Sequence, residues 1–156
     1  MTRCYEDFDL AYLAGIIDGE GSITINRTWA KYKNGDRIPH YDVKLQIASS
    51  SPILAEEMKK KYGGFTYTQL DRRGYRPMHH WILSEGNAIS LLQKCFKFSR
   101  LKAFHIMQVI AYHFDRTLCK GGGYNGYYKT NHKEIQKRTR YWEIMRKFAV
   151  KGVNRP

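Results

Sequence analysis

The 156-residue chain is 42% hydrophobic and carries 27 Lys and Arg against 14 Asp and Glu, a formal charge of +13. This length fits one domain with a real core, the apolar content excludes a disordered chain, and no apolar run reaches the roughly 18 residues that span a bilayer. A cationic surplus of this size selects a polyanionic partner, DNA or RNA first, without choosing a chemistry.

Cys4, Cys95 and Cys119 are odd in number and none is spaced as a metal knuckle or redox pair. A reduced, intracellular setting is expected. The start of the chain, with Glu6, Asp7 and Asp9 ahead of the apolar stretch, lacks the basic region that opens a signal peptide.

From Phe8 to Ile17 the residues Leu10, Ala11, Leu13, Ala14, Ile16 and Ile17 leave almost no polar face, which predicts a helix buried on every side. Ser22 to Thr28 and Tyr41 to Ile47 then alternate apolar and polar, as half-buried antiparallel strands joined around Asn34-Gly35-Asp36 do. Ser51-Pro52 reads as the N-cap and first turn of a second helix, with Leu54, Met58 and Tyr62 at four-residue spacing until Gly63-Gly64 ends it. Phe65 to Leu70 and Met78 to Leu83 flank Arg72-Arg73-Gly74 as a second hairpin. Helical periodicity follows over Asn87 to Phe98 and Ser99 to Phe114. Residues Cys119 to Thr130 hold four of the thirteen glycines and read as a flexible connection. A last helix opens near Asn131, with Glu134 as a capping-box partner and Ile135, Trp142, Met145 and Phe148 on one side. The division expected is a core over 1–118, a connection over 119–130, and a basic helix and tail over 131–156. Residues 115–156 hold eleven basic and three acidic residues, so they supply eight of the thirteen excess charges.

The segment Leu13-Ala14-Gly15-Ile16-Ile17-Asp18-Gly19-Glu20-Gly21-Ser22, set between an apolar helix and an alternating strand, closely resembles the signature of the LAGLIDADG homing endonucleases. Each of its features also has a physical reading. Ala11, Gly15 and Gly19 fall at i, i+4 and i+8, a stripe of small residues along which a second helix can approach closely. With one copy of the motif present, the natural partner is the same helix of a second subunit across a twofold axis, and Asp18 lies beside this seam. Asp18 and Glu20 stand where a helix C-terminus already carries partial negative charge, so a cation is expected nearby. Across the twofold axis the two Glu20 carboxylates would approach one another and attract a divalent ion.

The resemblance implies an α+β fold of order α-β-β-α-β-β-α, with a curved antiparallel sheet that binds DNA and extra C-terminal helices. It implies a metal-dependent phosphodiesterase that cuts both strands of a long pseudo-palindromic site as a homodimer. Mg²⁺ is the expected ion, with Mn²⁺ or Ca²⁺ able to replace it in binding; Glu20 is its ligand, with Gly19 beside it. Lys44 to Ile47, the helix after Ser51, and Trp81 to Glu85 fall where single-motif members keep their second strand, second helix and fourth strand. Ser49 stands where a longer amide often helps position water. Lys97, Arg100 and Lys102 surround the place of a basic residue near the scissile phosphate, without one of them aligning uniquely.

If the apolar residues of the first hairpin face the core, Thr24, Asn26, Thr28, His40, Asp42, Lys44 and Gln46 share the opposite face. Tyr67, Gln69, His80 and Ile82 of the second hairpin join them, with Lys31, Lys33, Arg37, Arg72, Arg73 and Arg76 at the tips. Such a sheet can read base edges in the major groove while its tips contact phosphates. The bland alternative is a solvated sheet face. Structural zinc is not expected, since the His and Cys spacings fit no common knuckle, and Gly121-Gly122-Gly123 lacks the context of a phosphate loop. Two rivals remain: a cleavage-inactive DNA-binding regulator or RNA maturase on the same scaffold, and a generic basic RNA-binding protein, which predicts a monomer.

Overall fold

Alternation of apolar and polar residues decides which way each strand faces, and the helices follow from it. The computed structural model describes residues 7–31, 35, 37–70, 74, 76–118 and 132–151. Helix α1 (Asp7–Glu20) runs directly into strand β1 (Gly21–Lys31), which turns back as β2 (Arg37–Ser49). After α2 (Pro52–Tyr62), a second hairpin of β3 (Phe65–Gln69) and β4 (Met78–Ser84) leads to α3 (Glu85–Cys95), α4 (Ala103–Leu118) and α5 (His132–Lys151).

The four strands form one antiparallel sheet in the order β1-β2-β4-β3. The second strand of each hairpin therefore lies at the centre, where Gln46 is opposite Ile82 and Lys44 opposite Ser84. Both central strands are apolar on the face toward the helices: Tyr41, Val43, Leu45, Ile47, Trp81 and Leu83 are buried there. They meet Leu10, Leu13, Ala14 and Ile17 of α1, Ala55, Met58 and Tyr62 of α2, and the inner faces of α3 and α4 in one core. Among the described residues the other face carries no helix layer.

The hairpins and α2 fall where the alternation places them, with the first pair of strands longer than expected at both ends. Gly63 and Gly64 end α2, both with φ of +83°, and the Gly63 N–H bonds the Lys59 carbonyl at 2.9 Å. Three expectations need correction. Ser51 has extended backbone at the N-cap of α2, but its side chain makes no capping hydrogen bond. Helix α3 stops at Cys95, and Ser99 to Lys102 form a turn ahead of α4: the Ser99 N–H still bonds the Cys95 carbonyl, but the N–H groups of Arg100, Leu101 and Lys102 are taken by a carboxylate elsewhere in the chain. The capping box expected for Glu134 involves Asn131, which lies outside the described residues; the Glu134 carboxylate pairs with Arg138 one turn on. Helix α1 is not buried all round, since it lies on a single sheet: Leu10, Leu13, Ala14 and Ile17 face the core, while Phe8 and Tyr12 are 67% and 60% exposed and Ala11, Gly15 and Gly19 are exposed as well. The Gly-rich connection lies outside the described residues.

Helix α5 closes the core over β1 and β2. The Tyr41 hydroxyl meets Thr139 Oγ1 at 2.7 Å, the Tyr112 hydroxyl donates to the Tyr41 carbonyl at 2.9 Å, and the Arg27 guanidinium lies 3.9 Å from the Trp142 ring centre. Burial pushes the Cys95 thiol up to about 12, so it behaves as an apolar core group. Among the described residues no helix is long and apolar enough to cross a membrane.

Gly64 shows how tightly the second hairpin sits on α2. A Cβ there would come 2.3 Å from the Ile82 carbonyl oxygen, at a positive φ. Gly64→Ala is expected to cost at least about 2 kcal/mol, from backbone strain and displacement of β4. Urea unfolding checks this, and an unchanged midpoint would contradict the packing described.

Candidate active site

The end of α1 is shaped by two glycines with different roles. A Cβ on Gly21 would lie 2.7 Å from both the Cα and the carbonyl oxygen of Ile17, so only glycine lets the helix pass straight into β1 at this angle. Gly19 has nothing within 4 Å of a built Cβ and lies on the open side. Glu20, between them, is exposed, one residue before the strand begins.

Asp18 turns the other way. Its carboxylate accepts from Ser99 Oγ at 2.6 Å and from the backbone N–H groups of Arg100, Leu101 and Lys102 at 2.7, 3.1 and 3.0 Å. It thereby satisfies N–H groups that the turn before α4 would leave orphaned. Lys102 answers in the opposite direction: Nζ donates to the Ile17 and Asp18 carbonyls at 2.6 and 3.0 Å, capping the negative end of α1. This is the cation that the acidic helix end calls for. Burial lowers the Lys102 ammonium below its usual value, against the opposing pull of Asp18 and Glu20.

Burial alone would raise the Asp18 carboxyl, but the hydrogen bonds from Ser99 and the three backbone groups outweigh it and hold it below its ordinary 3.8. The stability this contributes is complete above about pH 4 and is lost as pH falls through the lower folded value. Asp18→Ala is expected to cost about 3 kcal/mol at pH 7, because it leaves several turn N–H groups unpaired. The difference from wild type should shrink in urea melts below pH 4; a constant difference would count against the assignment.

The three basic candidates are separated by the fold. Lys97 Nζ bonds Asp7 at 2.9 Å, at the far end of α1, so it is not brought to Glu20. Arg100 contributes its backbone to Asp18 and has an exposed side chain. Lys102 stands against the last turn of α1. Ser49 Oγ accepts the Ser51 N–H at 3.0 Å, which turns it toward the start of α2. Sequence reading missed the hub at Ser99 and Asp18, because partners 81 residues apart leave no local pattern.

On the open sheet face the register brings Thr24, Asn26 and Thr28 opposite Lys44, Asp42 and His40, and places Tyr67 opposite His80 and Phe65 opposite Ile82. Gln69 pairs with Met78 at the outer end. His40 Nδ1 and Asp42 Oδ2 lie at hydrogen-bonding distance, 3.0 Å, and Thr24 donates to Asn26 at 3.3 Å. His80 and Ile82 lie on this face yet are only 7% and 4% exposed. Lys31, Arg37 and Arg76 are exposed at the hairpin ends, whereas Lys33, Arg72 and Arg73 lie outside the described residues. Ser22, Phe65 and Met78 share the face and follow from the same alternation.

No protein-family model and no curated protein sequence matches the chain. Solved structures with the same architecture do. The homing endonuclease I-CvuI, in complex with the I-CreI target, aligns with a TM-score of 0.54 at 14% identity, covering 87% of this chain and 95% of that one. The archaeal intron-encoded homing endonuclease I-Vdi141I, complexed with DNA, gives 0.53 at 18% identity over 90% of this chain and 99% of that one. The LAGLIDADG homing endonuclease I-SmaMI, bound to cleaved DNA, gives 0.60 at 16% identity over 91% of this chain but 45% of that one. At these identities what is shared is the fold, and it is the α+β fold expected from the sequence.

Proposed function

We propose that this chain is a site-specific DNA endonuclease of the LAGLIDADG homing type. It acts as a homodimer that lays its two open sheet faces along a long pseudo-palindromic duplex and cuts both strands with Mg²⁺. The observation that carries this reading is the Leu13–Ser22 segment: its small-residue stripe is exposed, and Glu20 stands free of the core where the open sheet face begins. The DNA complexes of structurally similar chains support it. So does I-SmaMI, of whose chain this fold spans 45%, as expected if a working enzyme needs two such units.

Among the described residues of one chain, no three His, Cys, Asp or Glu side chains converge on a metal position. Mg²⁺ keeps several waters and is held by one or two carboxylates together with substrate phosphates. Glu20 from each copy would supply those carboxylates. The ion would bring Lewis-acid charge to the scissile phosphate. Of the chain's own groups, Lys102 and Asp18 fix the end of α1 that carries Glu20. Arg100 offers a cation beside it, the open face reads bases, and Lys31, Arg37 and Arg76 contact phosphates; Lys33, Arg72 and Arg73, outside the described residues, are assigned the same role from the sequence.

Cleaved sites are selected from a random DNA library, and the recovered site is then tested as a purified substrate. The protein should linearise it with Mg²⁺ or Mn²⁺ and leave it intact in EDTA. Failure to cut any member of the library with either ion would overturn the proposal.

A further inference from the structure

On the open face, one recognition side chain is held by a neighbour rather than by solvent. Gln46 Nε2 lies 2.8 Å from His80 Nδ1. An amide nitrogen donates, so the ring nitrogen accepts and the imidazole proton sits on Nε2. His80 is itself clamped: its ring stacks on Tyr67 at 4.5 Å between centres and 8° between planes, and its Nε2 is buried with no hydrogen-bond partner among the described residues. Burial first, then Lys44 and His79, lower its basicity, so at neutral pH the ring is uncharged and able to accept.

We infer that His80 is a positioning residue that fixes the orientation of the Gln46 amide and makes it a reader of adenine. This rests on the DNA-reading role proposed for the open face. One Gln46 N–H is committed to His80, which leaves the second N–H and Oε1 as a donor and acceptor pair. That pair matches N7 and the N6 amino group on the major-groove edge of adenine. Guanine presents two acceptors there, N7 and O6, and would meet Oε1 unfavourably. Were the amide reversed, with Oε1 accepting from His80, both N–H groups would face outward and guanine would be preferred. The orientation therefore predicts which purine is selected, and the restraint from His80 makes the choice sharp, because a free amide could rotate to suit either.

The test uses binding, so that it stands apart from cleavage. Wild type, Gln46→Ala, His80→Phe, His80→Met and His80→Gln are used to recover bound duplexes from a randomised DNA library in Ca²⁺, with melting temperatures measured in parallel. Wild type should favour adenine at one position of each half-site by at least about fivefold, and Gln46→Ala should abolish that preference. His80→Phe and His80→Met, which fill the buried site without an acceptor, should reduce it to below about twofold at that position alone. His80→Gln, which keeps an acceptor, should retain it. Guanine at that position in wild type overturns the inference, as does full adenine preference in a folded His80→Phe or His80→Met. Loss of folding in both, or no preferred sequence in wild type, also overturns it. A protein that shows this pattern but never cuts would leave the inference standing and remove the endonuclease reading.

Discussion

Glu20→Gln is expected to leave DNA binding within about threefold of wild type and to lower double-strand cleavage by at least about a thousandfold. The amide keeps the shape of the side chain, and Glu20 is exposed at the end of α1, so the core and the Asp18 hub lose nothing. What changes is charge. An amide is a poor ligand for Mg²⁺ beside a carboxylate, and a Lewis-acid contribution of several kcal/mol corresponds to three decades or more in rate. In the proposed mode of action binding rests elsewhere, on hairpin-tip cations and open-face side chains, and should keep its salt dependence. Filter binding in Ca²⁺ and linearisation in Mg²⁺ separate the two effects. Cleavage by Glu20→Gln at the wild-type rate would remove Glu20 from the metal site; loss of binding along with cleavage would show instead that the residue is structural.

How far the sequence could be read follows from where each interaction lies along the chain. The two hairpins were legible because a strand's period is two, and the register then fixes Gln46, Tyr67 and His80 on one face without further information. Gly21 was legible as part of a motif, but its reason, the contact with the Ile17 backbone, needed coordinates. Ser99 to Lys102 suit a helix by composition; only the approach of Asp18 from 81 or more residues away, to the Ser99 hydroxyl and the N–H groups of Arg100, Leu101 and Lys102, draws them out of helical pairing. Lys97 could not be separated from Lys102 by sequence for the same reason. They are five residues apart, yet one bonds Asp7 at the beginning of α1 and the other caps its end.

The exposed side of α1 yields the other large effect. Gly15→Leu is expected to convert the protein to a monomer that keeps its fold and loses double-strand cleavage. A Cβ on Gly15 meets nothing within 4 Å in one chain, so the larger side chain has room in the isolated subunit. Replacing a helix-interior glycine should even favour α1 by up to about 1 kcal/mol. Across the proposed twofold seam the same side chain would stand between two helix backbones that approach along Ala11, Gly15 and Gly19. The helices would be forced apart, and with them the two Glu20 carboxylates that must meet at one site. Gly21→Ala provides the contrast, since its Cβ strikes the Ile17 backbone within the subunit and should lower stability whether or not a dimer forms. Sedimentation at micromolar concentration, far-ultraviolet circular dichroism and a cleavage assay distinguish the cases. A Gly15→Leu protein that sediments as a dimer and cuts normally would place the subunit interface somewhere other than α1.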